Sequence, residues 1–380
     1  MARPDRIELI RALRDARQSD VIVYFTGGKS QIAEDAVPLL YRHLLKVLEN
    51  RGDRKKVELF LYSRGGDVSV PWRVVSVIRE FCDHFNVLVP YRCHSAATMI
   101  CLGADVIVMG KKAELSPIDP TLNRVTGGSA APAAISVEDV SSYVSFMRDI
   151  AGITDQSAIA QVIGQLANHI GPLALGSVNR QYSHIRLVAR KLLTSRNQKI
   201  EEGKVAAIIE TLTEKMYSHG HAIARKEAEE LGLPIERPNQ QQEELMWKLY
   251  EQYEDWLKPN EVLDSEEVLV KANADRHVEP SVPLAVVETE HKLDVFEINL
   301  VHTRKRQVPQ NPQINVNLNL ALPPNLGAGA LPPNVQQLLQ NMINQVAQAV
   351  PSIVHAELVR QSPAIGYELT SYGGKWIDRT

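Results

Sequence analysis

The chain lacks most of the features that would mark it for a membrane, a metal or a nucleic acid. No run approaches the ~18 consecutive apolar residues that a membrane-spanning helix requires. The opening stretch, MARPDRIELIRALRDARQSD, scatters Ile7, Leu9, Ile10 and Leu13 among charges, which predicts an amphipathic helix and not the apolar block of a secretion signal. Lys and Arg number 42 against 45 Asp and Glu, a formal net charge of −3, so no overall basic field invites a polyanion. Cysteine is scarce: Cys82, Cys93 and Cys101 form one odd-numbered cluster without metal-ligand spacing, which excludes a disulfide framework and suits a reducing compartment. No phosphate-loop pattern or other cofactor motif is present. The expectation is a cytoplasmic protein with no metal, no cofactor, no nucleic-acid partner and no membrane span.

What the chain does have is alternation. Apolar strand patterns at 21–25, 57–62, 87–91 and 106–109 are separated by helical patterns at 35–50, 70–81 and 96–103. Strands that take turns with helices predict an α/β fold, a parallel sheet with right-handed crossovers and helices on both faces. Helical patterns then dominate from 137 to 257, after the small-residue loop NRVTGGSAAPAA. The segment VPLAVVETEHKLDVFEINLV reads as a β-hairpin, and QVPQNPQINVNLNLALPPNLGAGALPPN as a low-complexity linker. VQQLLQNMINQVAQAV has helical apolar spacing, and either a neighbouring subunit or the chain itself can receive it. The expected domains are a core over 1–125, a helical region over 126–260, a β-hairpin over 261–305, a flexible linker over 306–334, and a C-terminal helix with a docking arm over 335–380.

The most telling stretch is VLVPYRCHSAATMICLGADVIVMGKKAELSPIDP, residues 87–120. An apolar run stops at a small-residue turn and restarts as a helix, which displays the Ser95 hydroxyl at a strand end as a nucleophile is displayed. Upstream, VELFLYSRGGD ends a buried strand in Gly65 and Gly66, which can turn backbone amides toward a neighbour with no Cβ in the way. A carbonyl under attack becomes an oxyanion and needs such donors. Gly65 and Gly66 with Ala96 are the candidates for that hole, the Gly66 and Ala96 amides in particular. Arg64 and Asp67 flank the glycines and read as a charge pair fixing the loop.

At FLYSRGGD, HSAATMICLGADVIVMG and ELSPIDP the chain resembles the Clp-fold serine peptidases, the superfamily of the Clp protease proteolytic subunit and signal-peptide peptidase A. Within it the chain is most similar to the serine dehydrogenase proteinases, through PLALGSVNRQYSHIRLVARKLL and MYSHGHAI, over roughly the first two thirds of the sequence. The resemblance implies a Clp/crotonase-type spiral of ββα units with a helical extension and a small β-containing C-terminal segment. It implies a serine peptidase that cleaves unfolded or flexible polypeptides through an acyl-enzyme, and a homo-oligomer. Any partner ATPase or unfoldase is left unspecified. Two other readings share the fold: a crotonase-like acyl-CoA enzyme, which needs no serine nucleophile, and a non-catalytic scaffold or binding protein.

The base is the open question. A serine hydroxyl is unreactive at neutral pH until a neighbour takes its proton. Where the Clp proteolytic subunit supplies histidine, this chain has Leu115-Ser116-Pro117, and no lysine lies between Lys112 and Lys191 for a Ser-Lys dyad. The helix matching the dyad helix carries Glu138 and Asp139 instead, and Asp139 can orient a histidine. His184 and His219 each follow a Tyr-Ser pair on or at the end of a helix, with His219 ranked first because a helix terminus is easily aimed into a cleft. Asp119, before Pro120, is either an orienting carboxylate or a turn cap. His94 is set aside, since neighbouring side chains at a strand end diverge, and Cys93 is assigned to packing.

Overall fold

Period-two alternation in four strands sorts the core into two faces. In β1 (Asp20–Thr26), Ile22 and Tyr24 point into one buried cluster while Val21, Val23 and Phe25 point into another. In β2 (Lys56–Tyr62), Val57, Leu59 and Leu61 share the first face, and Phe60 and Tyr62 the second. β3 (His84–Val89) and β5 (Val106–Met109) repeat the division. Strands buried on both sides read as continuous apolar runs, the signature of a parallel sheet covered by helices.

The computed structural model describes residues 3–50, 55–118, 121–123, 134–170, 172–216, 220–307 and 332–380. The chain divides into two compact units. One comprises Met1–Glu261, Pro283–Glu297 and Lys375–Thr380, the other Val262–Val282 and Ile298–Gly374.

In the first unit, α1 (Arg3–Arg17) leads into β1, α2 (Ala36–Asn50) joins β1 to β2, and α3 (Val70–Arg79) joins β2 to β3. The two-residue strand β4 (Arg92–Cys93) precedes α4 (Ala96–Leu102), which is followed by β5 and by another short strand, β6 (Glu114–Leu115). β7 (Thr121–Asn123) and β8 (Ala134–Ser136) pair with each other, and α5 (Val137–Ser145), α6 (Gln156–Ile170), α7 (Pro172–Thr194) and α8 (Glu202–Glu210) follow, α5 and α8 each running on into a π-helical turn. Then come β9 (Ile223–Ala224), α9 (Arg225–Glu230), β10 (Ile235–Glu236) and α10 (Gln240–Leu257). β11 (Arg276–Glu288), β12 (Leu293–Arg306) and β13 (Ala364–Asp378) lend residues 283–288, 293–297 and 375–378 to this unit.

The main sheet has the order β10-β5-β3-β2-β1-β11-β12-β13. Its first five strands are parallel, with Ile22 opposite Leu59, Leu59 opposite Val87 and Val87 opposite Ile107. β11 then runs antiparallel to β1, Val23 facing Glu288. The strands β9 and β10 interrupt a region where the sequence pattern is dominated by helices. Two residues are too few to show a period, and Gly232 and Pro234 stop α9 so that Pro234 can accept from the Ile107 amide at 2.9 Å. A buried charge is held near the amino end of the central strand β2: Glu58 accepts from Arg17 at 2.7 Å, Ser19 at 2.8 Å and Asn86 at 3.0 Å. Burial pushes its carboxyl up, but the Arg17 guanidinium above all, with Asn86 and Lys56, holds it below the usual carboxylate range.

The second unit contains α11 (Ser265–Lys271), residues 276–282 of β11 and 298–306 of β12, the 29-residue helix α12 (Pro333–Gln361) and residues 364–374 of β13. Asp275 bonds Arg304 at 3.1 Å and Arg306 at 2.8 Å, and His302 contacts Ser265 at 3.0 Å. The linker expected over 306–334 lies mostly outside the described residues, as does most of the small-residue loop before Ala134. No helix among the described residues is long and apolar enough to cross a membrane.

Candidate active site

The carboxyl ends of β2 and β3 place two loops side by side, where functional groups of parallel sheets collect. Beyond β2, Ser63 bridges Cys93 in parallel, donating its amide to Arg92 O and accepting at its carbonyl from the His94 amide. This ladder brings Gly65 against the turn that holds Ser95. A methyl group on Gly65 would stand 2.9 Å from Ser95 Cβ and 3.4 Å from its Oγ, so only glycine permits the approach. Gly65 has φ +117° and Gly66 φ +152°. Gly66 is clamped from behind: Ile32 N donates to Gly65 O at 2.8 Å and Asp67 N to Ile32 O at 2.9 Å. A Cβ on Gly66 would lie 2.2 Å from Ile32 O.

Ser95 itself has φ 50° and ψ −114°, a conformation that an L-residue adopts only when its surroundings impose it. Three buried hydroxyl contacts do the imposing. Ser95 N donates to Ser116 Oγ at 2.8 Å, Ser116 N donates to Thr98 Oγ1 at 3.0 Å, and Thr98 Oγ1 donates to Cys93 O at 2.7 Å. The Ser95 residue is 8% exposed, and its Oγ has no hydrogen-bond partner among the described residues. Neither the Gly66 nor the Ala96 amide donates to a described acceptor. The turn therefore offers one uncommitted hydroxyl and two uncommitted amides, in two loops held together by backbone bonds.

Around them the sequence expectations fare unequally. Arg64 and Asp67 do not pair: Arg64 donates to Asn260 at 3.0 Å, and Asp67 accepts from the Ser69 amide and hydroxyl at 2.8 and 2.7 Å. The carboxylate finds local turn donors, and the guanidinium reaches outward instead. His94 bonds Glu114 at 3.1 Å, beside Arg92 at 2.8 Å from the same oxygen. Burial, against the pull of Glu114, holds the His94 imidazole below the ordinary histidine value. Cys93 is buried, donates to Leu61 O at 3.1 Å, and has its thiol pushed well up by burial.

His184 lies on α7 and is exposed, with no described hydrogen bond. Asp119 and His219 lie outside the described residues, and Asp139 is in α5 with its side chain outside them. Sequence reasoning missed His221, which bonds Glu227 at 2.8 Å. It also missed Thr98 and Ser116 as supports of the turn. Antiparallel pairing of β6 with β9 sets Leu115 opposite Ile223, so residues 220 and 221 approach the strand that leads to Ser116. A Ser-Pro sequence straight after a short strand is the only local hint of that role. No group of His, Cys, Asp and Glu among the described residues could hold a metal ion.

A parallel α/β sheet that presents a serine turn against a glycine pair is the framework of a ClpP-like serine peptidase. The model of the ClpP-like SDH-type serine proteinases matches residues 2–267, and the chain belongs to that family. It is a serine-type peptidase with a ClpP-like fold, which leaves the acyl-CoA and non-catalytic readings without support. Two uncharacterized proteins of Methanocaldococcus jannaschii are similar in sequence. One is 24% identical over 254 residues, covering 65% of this chain and 79% of the relative. The other is 20% identical over 192 residues, covering 50% of this chain and 56% of the relative, so the match spans only about half of that protein. Among solved structures, the 1510-N membrane-bound stomatin-specific protease matches in two mutant forms. One is 16% identical with a TM-score of 0.35, over 58% of this chain and 82% of that one. The other, in complex with a substrate peptide, is 15% identical with the same score, over 59% and 78%.

Proposed function

We propose that Ser95 is the nucleophile of this peptidase and that the Gly66 and Ala96 amides, with Gly65 opening the space, form its oxyanion hole. The carrying observation is the enforced turn: a non-glycine residue at positive φ, facing Gly65 across a gap that a Cβ would fill, beside two amides with no other described acceptor. Ser95 Oγ adds to the scissile carbonyl carbon as its proton passes to a base, and the carbonyl oxygen takes the negative charge into the amides. The tetrahedral adduct collapses, the C–N bond breaks, and the base returns the proton to the departing amine. Water repeats the sequence on the acyl-enzyme and frees the carboxylate and Ser95.

The base in this proposal is a histidine of the segment before β9, His219 or His221, with His184 the other candidate. Pairing of β9 with the strand that leads to Ser116 favours that segment. Asp119 and Asp139 are the chain's candidate orienting carboxylates for His219, and Glu227 already bonds His221. Substrates are flexible polypeptides, the working form is a homo-oligomer, and unfolding of stable substrates falls to a separate ATPase. Cytoplasmic operation fits three cysteines that form no disulfide, two of them buried.

Labelling by a fluorophosphonate, followed by hydrolysis of an unstructured casein, tests the assignment. Ser95→Ala is expected to abolish labelling and to lower turnover by ~10⁴-fold or more, with unchanged circular dichroism. Of His219→Ala, His221→Ala and His184→Ala, the base variant loses labelling while the other two keep it. Undiminished labelling of Ser95→Ala would remove this serine from the reaction.

A further inference from the structure

Between Arg306 and Glu357 the chain contains no Asp, Glu, Lys or Arg. Most of α12 falls within that interval, a helix about 43 Å long at 1.5 Å per residue. Six of its apolar positions share one face. Val335, Leu338, Leu339, Met342, Val346 and Ile353 fall within a stripe of about 100°, the width of a helix face that packs against something. The opposite face carries Gln337, Gln340, Asn344 and Gln348, and Gln340 donates to Asn344 at 3.3 Å along it.

Nothing described covers the stripe. Leu338 is 61% exposed, Met342 55%, Val346 46% and Ile353 65%, and none of the described side chains of α12 is buried. The last turns meet the rest of their unit, where Ala356 and Val359 line a cavity with Leu269 and Val270.

We propose that this stripe is a self-association surface and that its occupant is α12 of a second copy of this chain. The lack of charge on the stripe and its spacing together decide the occupant. A partner chosen by charge finds nothing to pair with on residues 333–356 of α12, and an anionic lipid surface finds there none of the Lys and Arg that hold interfacial helices to it. The spacing itself is self-complementary, because 335, 339, 342 and 346 alternate steps of four and three, the pattern by which two helices interlock side chains. The bordering groups are amides such as Gln345, which donate to and accept from their own kind. Pro351 removes one helical hydrogen bond and ends the regular seam, so the contact centres on 335–350 with Met342 near its middle. The surface lies outside the residues that match the peptidase family, and the inference stands without any assignment of catalytic residues.

Cross-linking in the full-length chain tests it. Met342→Cys and Asn344→Cys place one thiol on the stripe and one on the opposite face, and Met342 sits near the centre in either helix orientation. Under mild copper-phenanthroline oxidation, Met342→Cys is expected to give a covalent dimer at least fivefold faster than Asn344→Cys or the unaltered chain. Met342→Asp is expected to lower the mass in sedimentation velocity while Ser95 still reacts with a fluorophosphonate. Equal cross-linking rates for the two cysteine variants would overturn the proposal. Slow Met342→Cys cross-linking together with co-sedimentation on phosphatidylcholine vesicles would overturn it in favour of a lipid surface.

Discussion

Ser95 and Thr289 are two buried hydroxyls in opposite surroundings. Thr289 has the residues of a hydrolytic triad around it: its Oγ1 is 3.4 Å from His43 Nδ1, and His43 Nε2 is 2.9 Å from Asp294. Ser95 has no described imidazole against it at all. Yet the Thr289 oxygen is already committed, accepting from the Lys292 amide at 3.1 Å in a turn, while Thr289 and His43 are wholly buried and Asp294 nearly so. The Ser95 hydroxyl is uncommitted and sits with two unused amides in a backbone conformation that costs energy to hold. Residue types in a row make a well-satisfied polar cluster. Spare donors and enforced strain make a reaction site.

The sharpest way to break this comparison is to fill the space that Gly65 leaves. Gly65→Ala puts a methyl 2.9 Å from Ser95 Cβ at a φ of +117°, so the serine must move. Displacement of a reacting atom by about 1 Å costs on the order of 10²-fold in rate. Fluorophosphonate labelling should slow by that factor while the chain still folds, as judged by near-ultraviolet circular dichroism. Labelling at the normal rate would show that the close approach is unrelated to reactivity. Gly66→Ala is less informative, because the clash is with the Ile32 backbone and the loop itself would be lost.

Ser116→Ala acts one layer back. It leaves the Ser95 amide without the acceptor that now lies at 2.8 Å, an unmade buried hydrogen bond of about 1–3 kcal/mol. With the turn less firmly held, kcat is expected to fall roughly tenfold while KM stays constant, since no substrate contact is removed. Ser116→Thr, which retains the acceptor, should recover part of the loss. An equal fall for both variants would assign the effect to packing at Pro117.

How much of this was legible beforehand follows the range of the interactions. The turn at Ser95 and the Gly65-Gly66 pair are local, each written in one strand-to-loop transition, and so are the alternating faces of β1 and β2. The pairing of Ser95 with Ser116 spans a helix and two strands, and the sequence marks it only by Ser-Pro. The His43–Asp294 contact joins residues 251 apart in sequence and follows from β11 and β12 joining the sheet beside β1, which no local period encodes. Arg64 and Asp67 mislead for the reverse reason: nearness in sequence suggests a pair, but Asp67 is satisfied by Ser69 and Arg64 by Asn260.

The smallest expected effect concerns the other half of the comparison. Burial, partly offset by the bond to Asp294, holds the His43 imidazole below its ordinary pKa, so the fold favours its neutral form. An unfolded histidine titrates near 6.5. As pH falls through that value, the unfolded chain takes up a proton that folded His43 refuses, and stability declines by up to ~1.4 kcal/mol per pH unit until the folded pKa is reached. Above pH 6.5 the group contributes no slope. His43→Leu should therefore flatten the dependence of the urea midpoint just below pH 6.5. Asp294 remains paired with Lys292 at 3.1 Å, which limits the damage of removing the imidazole. Labelling of Ser95 at pH 7.5 should be untouched in this variant, because the Thr289 cluster has no part in the reaction. A fall in labelling together with an unaltered pH slope would exchange the roles of the two regions.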